Sequence, residues 1–309
     1  MPEIVISEFM DQAAVDSLAA DFDVVYDPSL VDRHDDLLAV VAEARALVVR
    51  NRTQVRGELL EAAPALRVVG RLGVGLDNID VRACEQHAVI VHPATGANDA
   101  AVAEYVVAMA MILLRDAYAA GADVIAGAWP RQRCMGREIA GKCLGLVGFG
   151  GIARETAKRA RALGMQVMAY DPFVAETDLA WKDVERSQLD RLMASADVVS
   201  LHVPLTDDTR RLIDAAMIAG MKKGAVLINT SRGGIVDEDA VVASLRARHL
   251  AGAALDVFEI EPVTPDAGAR LAGVSNLVLT PHIAGVTQEP NVRVTAVTAE
   301  NVRKVLTQK

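Results

Sequence analysis

The chain is short of cysteine, with three in 309 residues: Cys84, Cys134 and Cys143. The number is odd and no C-x-x-C occurs, so neither a disulfide framework nor a zinc site is indicated. Free thiols in a reducing cytoplasm are the plain reading. Aromatic residues make up only 4%. The abundant alanine and valine suit tightly packed helices on buried strands. Long apolar runs are missing too. The helical stretch AAVAEYVVAMAMILL carries Glu104 and is bounded by Asp99 and Arg115, short of the roughly 18 uninterrupted apolar residues that mark a membrane span. The start, MPEIVISEF, has no basic segment and no long apolar segment, so no signal peptide is expected. Basic charge is in deficit, with 32 Lys and Arg against 41 Asp and Glu, a net −9. Nucleic acid and membrane surfaces are therefore poor partners, because both need a basic face. A local arginine cluster could still hold a small anion.

What is present is enough apolar material, 52%, for two domains of ordinary size with real cores. Short apolar runs alternate with helical patterns throughout. Strands are expected near Ile4–Ser7, Leu47–Val49, Val68–Gly70 and Val89–Val91. A second series is expected near Cys143–Val147, Gln166–Tyr170, Val198–Val203, Ala225–Asn229, Ala253–Val257 and Leu277–Leu279. Helical patterns lie between, including a long one near Asp99–Tyr118 and a last one over Gln288–Leu306. Such alternation predicts an α/β protein with parallel sheets in two Rossmann-like domains.

The segment CLGLVGFGGIARETAKRARALGMQVMAYD is the most informative. A buried strand runs into Gly148-Phe149-Gly150-Gly151-Ile152-Ala153, a helix follows at once, and a second strand ends in Asp171. The spacing is G-x-G-x-x-A. Gly148 permits the tight turn, Gly150 admits a pyrophosphate, and Ala153 keeps helix and strand close. Asp171, twenty-three residues after Gly148, can accept hydrogen bonds from ribose hydroxyls and would repel a 2′-phosphate. The combination points to NAD rather than NADP. A glycine-rich turn in an unrelated α/β protein is the alternative.

Ligands in open parallel sheets bind beyond the carboxyl ends of the strands. Three later strand ends carry Arg232, Glu261 and His282 in INTSRGGIVDE, ALDVFEIEP and VLTPHIAG. A guanidinium can grip a carboxylate bidentately. An imidazole titrates near neutrality and can take or return a hydroxyl proton. A glutamate on its other nitrogen fixes the tautomer, and no metal is required. Together they suit oxidation of a 2-hydroxy acid. Each has a plainer reading: Arg232 as a helix cap or partner of Asp237 or Glu238, Glu261 as a loop carboxylate with Glu259 as rival, and His282 as a hydrogen-bonded core residue. His202 ends a strand and, with Val203 and Pro204, is expected to border the cofactor. His92 is either near the cleft or structural. His34, His87 and His249 look like surface or helix-end residues.

These segments, with LVVRNRTQV, VVGRLGVGLDNID and WPRQRCMGREIAGK, resemble the D-isomer-specific 2-hydroxyacid dehydrogenases, especially the 3-phosphoglycerate dehydrogenases, over nearly the whole chain. The resemblance implies Arg232, Glu261 and His282 as catalytic residues. It implies cofactor contacts at Gly151, Ile152, Asp171, Val203, Thr209, Thr230, Ser231, Arg232, Asp256, His282 and, in the loop after His282, Gly285. Backbone at Val74 and Gly75 would grip the substrate carboxylate, and Arg50, Arg52, Arg71 and Arg131 match or adjoin positions that hold a distal anion. It also implies a discontinuous substrate domain, residues 1–98 with 286–309, an inserted NAD domain, residues 99–285, a cleft that closes on substrate, and a homodimer through the helix near Asp99–Tyr118. Because the chain stops at Lys309, the regulatory domains of longer relatives, and serine feedback through them, are not expected. The loop IAGVTQEPNVRV resembles that of relatives acting on (S)-3-sulfolactate. 3-Phosphoglycerate and 3-sulfolactate are the leading substrates, with glyoxylate or hydroxypyruvate reduction next. A non-catalytic NAD-sensing corepressor on the same scaffold is the alternative from another class.

Overall fold

A computed structural model describes residues 2–308, the side chain of Ala119 excepted. The chain divides into two compact units, Met1–Asn98 with Val286–Lys309, and Asp99–Gly285.

The first unit holds β1 (Ile4–Ile6), β2 (Val24–Tyr26), β3 (Ala46–Val49), β4 (Val68–Arg71) and β5 (Ile90–Pro93) in the order β2-β1-β3-β4-β5. Every pairing is parallel. Side chains alternate across the sheet, and both faces are buried. Ile4, Ile6, Ala46, Val48 and Val68 pack under the helices Gln12–Ala19 and Gln288–Thr307. Val5, Leu47, Val49 and Val69 pack under His34–Val41, Glu58–Ala62 and Val81–Gln86. A Cβ at Gly70 would lie 2.7 Å from Val302, so glycine lets the last helix press onto β4. That contact fixes residues 286–309 to the front of the chain.

The second unit continues with β6 (Cys143–Val147), β7 (Gln166–Tyr170), β8 (Glu185–Arg186), β9 (Val198–Leu201), β10 (Val226–Asn229), β11 (Gly252–Leu255) and β12 (Leu277–Leu279). Its order is β12-β11-β10-β9-β6-β7-β8, again with parallel pairings. Helices Asp99–Arg115 and Gly151–Ala162 cover one face, with Val106 and Leu113 of the first packed in the same core as Leu144, Leu146 and Ile228 of the strands. Leu189–Ser195, Ala215–Ala219 and Glu238–Arg246 cover the other over Val147, Val199, Leu201 and Leu227. The chain builds outward from β6 to β8, then returns to β9 on the opposite side. The switch point is therefore between β6 and β9, where such sheets open a crevice.

The α/β class and its parallel sheets are as the alternation requires. Two strands fall outside the sequence expectation, β2 and β8, of three and two residues at sheet edges. The long helix ends at Arg115, not Tyr118, because Asp116 turns to φ +44°. Among the described residues no helix is long and apolar enough to cross a membrane.

Candidate active site

At the switch point, β6 ends in the glycine loop. Gly148 has φ +90°, and a Cβ there would lie 2.5 Å from the His202 carbonyl oxygen. Only glycine makes this turn without strain. Gly150 is the N-cap of Gly151–Ala162; no side chain caps it, and a Cβ at Gly150 would meet nothing within 4 Å. The first N–H groups of that helix have no intrahelical acceptor, and they carry the positive end of the helix dipole. A pyrophosphate fits this arrangement. A Cβ at Gly151 would lie 2.3 Å from Asp99 Oδ2, so glycine also makes room for that carboxylate, whose pKa burial and then Glu155 push up. Ile152 follows, partly buried.

Asp171 stands at the end of β7 and does more than the sequence suggested. Its Oδ2 accepts the Phe149 N–H at 2.7 Å, and Oδ1 accepts those of Phe173 at 2.9 Å and Val174 at 3.3 Å. The carboxylate thus ties the glycine loop to the neighbouring strand, and Oδ2, with one donor, keeps acceptor capacity for a ribose hydroxyl. Phe149 itself stacks on Trp181 with centroids 4.8 Å apart, which stiffens the loop further.

The loop after β9 carries His202, Val203 and Pro204. His202 is only partly exposed, its Nε2 is 3.0 Å from Ser200 Oγ, and burial pushes its pKa down to about 4, so the ring is neutral. Thr209 closes this loop from within: its hydroxyl donates to Pro204 O at 2.6 Å. The Ser231 hydroxyl is likewise spent on Leu201 O at 2.6 Å. Among the described residues Thr230 Oγ1 is buried without a partner, a polar atom that a ligand would satisfy.

β10, β11 and β12 are consecutive neighbours running the same way, so the segments leaving them emerge side by side, about 4.8 Å apart per strand. Arg232 follows β10, Glu261 follows β11 and His282 follows β12. Glu261 Oε2 is 2.8 Å from His282 Nδ1, and Oε1 accepts the Phe258 N–H at 2.9 Å. Burial works against the Glu261 charge. The bond to His282, the Phe258 N–H and the charges of His282 and Arg232 outweigh it and hold the pKa below the usual carboxylate range. Because the carboxylate can only accept, Nδ1 carries the hydrogen, and Nε2 is the nitrogen left with a free lone pair whenever the ring is neutral. The His282 side chain is 50% exposed. Arg232 Nη1 donates to Ser231 O at 2.5 Å, and Asn229 Nδ2 donates to the Arg232 carbonyl at 2.9 Å. A Cβ at Gly233 would lie 1.7 Å from Phe258 O. Glycine there brings the arginine loop against the glutamate loop.

His282 has φ +56°, a conformation costing a non-glycine residue about 1–2 kcal/mol. Asp256 holds it there. The Asp256 carbonyl accepts the His282 N–H at 2.8 Å, and its carboxylate accepts Ile283 N–H at 2.8 Å and Ala284 N–H at 2.9 Å. Gly285 ends this turn, partly buried. Asp256 is 1% exposed, so a residue the sequence offered as a cofactor contact is first a buried anchor. The rival Glu259 is engaged elsewhere: its N–H donates to Glu238 at 2.7 Å, and its carboxylate lies 3.6 Å from Arg211.

The first unit has its own switch point, between β1 and β3. There Glu8, 4% exposed, accepts the N–H groups of Arg50 (2.8 Å), Asn51 (3.3 Å), Arg52 (3.1 Å) and Thr53 (3.0 Å). Nothing in the residue pattern singles out Glu8, whose signal is an acid just after a strand. Its carboxylate consumes the loop's amides, so an incoming anion would meet side chains. Arg50 is half-buried, lies over the Phe9 ring and donates to Asn291 Oδ1 at 2.6 Å. Arg52 is exposed and paired with Asp32. Arg71 donates to Leu72 O at 2.7 Å, beside the positive-φ Gly73, with Val74 and Gly75 just beyond. Arg131, in the second unit, is exposed in the irregular stretch after the long helix. Of the remaining histidines, His34 and His87 are exposed, with His34 3.4 Å from Glu58 and His87 bonded to Ala83 O at 2.9 Å. His249 is bonded to Ile218 O at 3.1 Å, and His92 lies partly buried in β5.

The family model for the D-isomer specific 2-hydroxyacid dehydrogenase NAD binding domain matches residues 107–284. An (S)-sulfolactate dehydrogenase of Chromohalobacter salexigens is 58% identical over 307 residues, 99% of each chain. A hydroxypyruvate reductase of Thermotoga maritima is 40% identical over 272 residues, 88% of each chain. Among solved structures, a D-lactate dehydrogenase from Aquifex aeolicus complexed with NAD and lactic acid superposes with a TM-score of 0.85 at 27% identity, over 98% of this chain and 95% of that one. The chain belongs to the D-isomer-specific 2-hydroxyacid dehydrogenases, NAD-dependent oxidoreductases of small 2-hydroxy acids.

Proposed function

We propose that the substrate is a D-2-hydroxy acid bearing a second anionic group, with 3-sulfolactate first and 3-phosphoglycerate second, and that His282, Glu261 and Arg232 carry the reaction. The observation that carries the residue assignment is the 2.8 Å bond from Glu261 to His282 Nδ1, which leaves Nε2 as the proton acceptor. In oxidation, Nε2 takes the proton of the substrate hydroxyl as the C2 carbonyl forms. Glu261 stabilises the resulting imidazolium, and in reduction the same proton returns to the carbonyl oxygen. Arg232 holds the C1 carboxylate in its planar fork and orients C2. The bond to Ser231 O limits its rotation. NAD, when bound, supplies the hydride acceptor. Val74 and Gly75 would add backbone donors to the C1 carboxylate.

The sulfolactate reading rests on two supports. The relative of 58% identity, matched over 99% of its length, is an (S)-sulfolactate dehydrogenase. Arg50 is a preorganised cation at the first unit's switch point, held by Asn291 in the first turn of the helix Gln288–Thr307, within the segment whose sequence resembles sulfolactate enzymes. Arg71, Arg52 and Arg131 are further candidates for the distal anion, Arg52 the weakest because Asp32 already neutralises it. That neutralisation, with the hydroxypyruvate reductase among the relatives, supports hydroxypyruvate or glyoxylate as the alternative without a second anion. An NADH-oxidation panel of sulfopyruvate, 3-phosphohydroxypyruvate, hydroxypyruvate and glyoxylate separates them. The highest kcat/KM is expected for sulfopyruvate, and a clear preference for the keto acids with no second anion would overturn the proposal.

The cofactor contacts proposed are Gly148, Gly150, Gly151, Ile152, Asp171, Val203, Pro204, Thr230 and the backbone around His202, Thr209, Ser231, Asp256 and Gly285. Asp171→Ala is expected to lower the NADH over NADPH preference in kcat/KM about 10- to 100-fold, the worth of a charged hydrogen bond of ~1.5–3 kcal/mol. The ratio cancels any general loosening of the glycine loop, and unchanged selectivity would remove the ribose contact. We also infer a homodimer. Downstream of the long helix, Ile125 (89%) and Trp129 (75%) are exposed along with Tyr118, Val124 and Met135, an apolar set that a second copy would cover. A single-chain mass in sedimentation would exclude it.

A further inference from the structure

The turn that carries His282 is braced by a chain of hydroxyls reaching back to the long helix. Asp256 receives the three successive amides of residues 282–284 on its carbonyl and its two carboxylate oxygens. Oδ1 also accepts the Thr280 hydroxyl at 2.6 Å. A hydroxyl has one proton, and an ionised carboxylate has none to give. Thr280 Oγ1 can therefore only accept from its other neighbour, the Tyr105 hydroxyl, also 2.6 Å away. The direction is fixed: Tyr105 donates to Thr280, and Thr280 donates to Asp256. Tyr105 lies in Asp99–Arg115 and packs against the apolar core of its unit. Burial pushes its pKa up, so it keeps the proton that the chain needs.

We propose that Tyr105 is a positioning residue for the dehydrogenase reaction, acting through Thr280 and Asp256 on the backbone of His282. The inference rests on His282 being the acid/base group. Each bond in such a chain polarises the next. With Tyr105 donating, the Thr280 proton stays on Asp256, and the carboxylate keeps the rotation that meets both Ile283 and Ala284. Without it, the Thr280 hydroxyl is free to turn. The strained left-handed His282 then loses part of what holds it, and its ring meets Glu261 less of the time. Among the described residues Tyr105 has its side-chain hydrogen bond to Thr280 and not to Glu261 or His282, so its effect is mainly on how often the pair is assembled.

Tyr105→Phe removes one oxygen and keeps the ring. Its expected effect is a fall in kcat of about 3- to 10-fold, the size of one hydrogen bond. KM for NADH and for the keto acid should change by less than kcat does. The kinetic isotope effect with NADH deuterated at the transferred position should rise, as chemistry becomes more limiting. Thr280→Ser should retain kcat, Thr280→Val should lose it, and Tyr105→Phe in the Thr280→Val background should cost nothing more. A Tyr105→Phe enzyme with unchanged kcat, or one that loses NADH affinity and melting temperature with no change in isotope effect, would overturn the relay. So would additive losses in the double variant. His282→Ala separates the two readings. If it is inactive while Tyr105→Phe is silent, only the relay falls; if it is active, the acid/base assignment falls with it.

Discussion

His282→Ala is expected to reduce turnover of any 2-keto acid by about 10²- to 10⁴-fold, the usual worth of a positioned general acid–base, while NADH still binds with near-normal affinity. The separation follows from where the residue sits. His282 stands in a turn after β12, its Nδ1 bound to Glu261, whereas the glycine loop follows β6, with β9, β10 and β11 between the two strands in the sheet. Removing the ring leaves that loop, its uncapped helix start and Asp171 in place. Asp256 grips the backbone of residue 282, not its side chain, so the turn should also survive. Steady-state NADH oxidation and NADH fluorescence titration check the two halves separately. Turnover within tenfold of wild type would remove His282 as proton carrier. Loss of turnover together with loss of NADH binding would mean that the ring supports the cofactor site.

Arg232→Ala is expected to cost ~2–5 kcal/mol of keto-acid recognition, as for truncating one partner of a charge-assisted pair, or about thirtyfold to several-thousandfold in kcat/KM at ~1.4 kcal/mol per tenfold. Arg232→Lys should recover only part of this, because an ammonium keeps the charge and loses the planar fork. The loss should appear with every 2-keto acid in the panel, since all share the C1 carboxylate. That sets Arg232 apart from Arg50, whose importance should depend on a second anion. An Arg232→Ala enzyme with unchanged kcat/KM would leave Arg232 as the structural residue that its bond to Ser231 O also permits. The variant has one foreseeable side effect: Arg232 is among the charges that lower the Glu261 pKa, so its loss should raise that pKa somewhat.

Much of the site was legible because its parts are local. A glycine loop must follow its strand directly, and the ribose carboxylate must end the next one, so both lie within a single stretch of sequence. Arg232, Glu261 and His282 were found by looking past each strand end, and each is where a parallel sheet exposes it. Other features left little trace. β2 and β8 are too short to show alternation over enough residues. Glu8 looks like an ordinary acid until four amides converge on it. Tyr105 sits within an apolar helix pattern that hides its hydroxyl, 175 residues from its partner. Arg52 and Arg50 are near neighbours in RNR, yet one is paired with Asp32 and the other is held by Asn291. No pattern in that tripeptide distinguishes them.

By itself the sequence determined the α/β class, the nucleotide loop and the chemical types offered at the strand ends, because backbone periodicity and turn chemistry act over a few residues. Only the tertiary structure decided which of those types meet. Strand order makes β10, β11 and β12 neighbours, and so sets a glutamate on a histidine 21 positions away. It also turns Asp256 inward as an anchor and packs the last helix against β4. Those outcomes depend on which faces bury one another, a property of the whole packed chain that no short stretch of it contains.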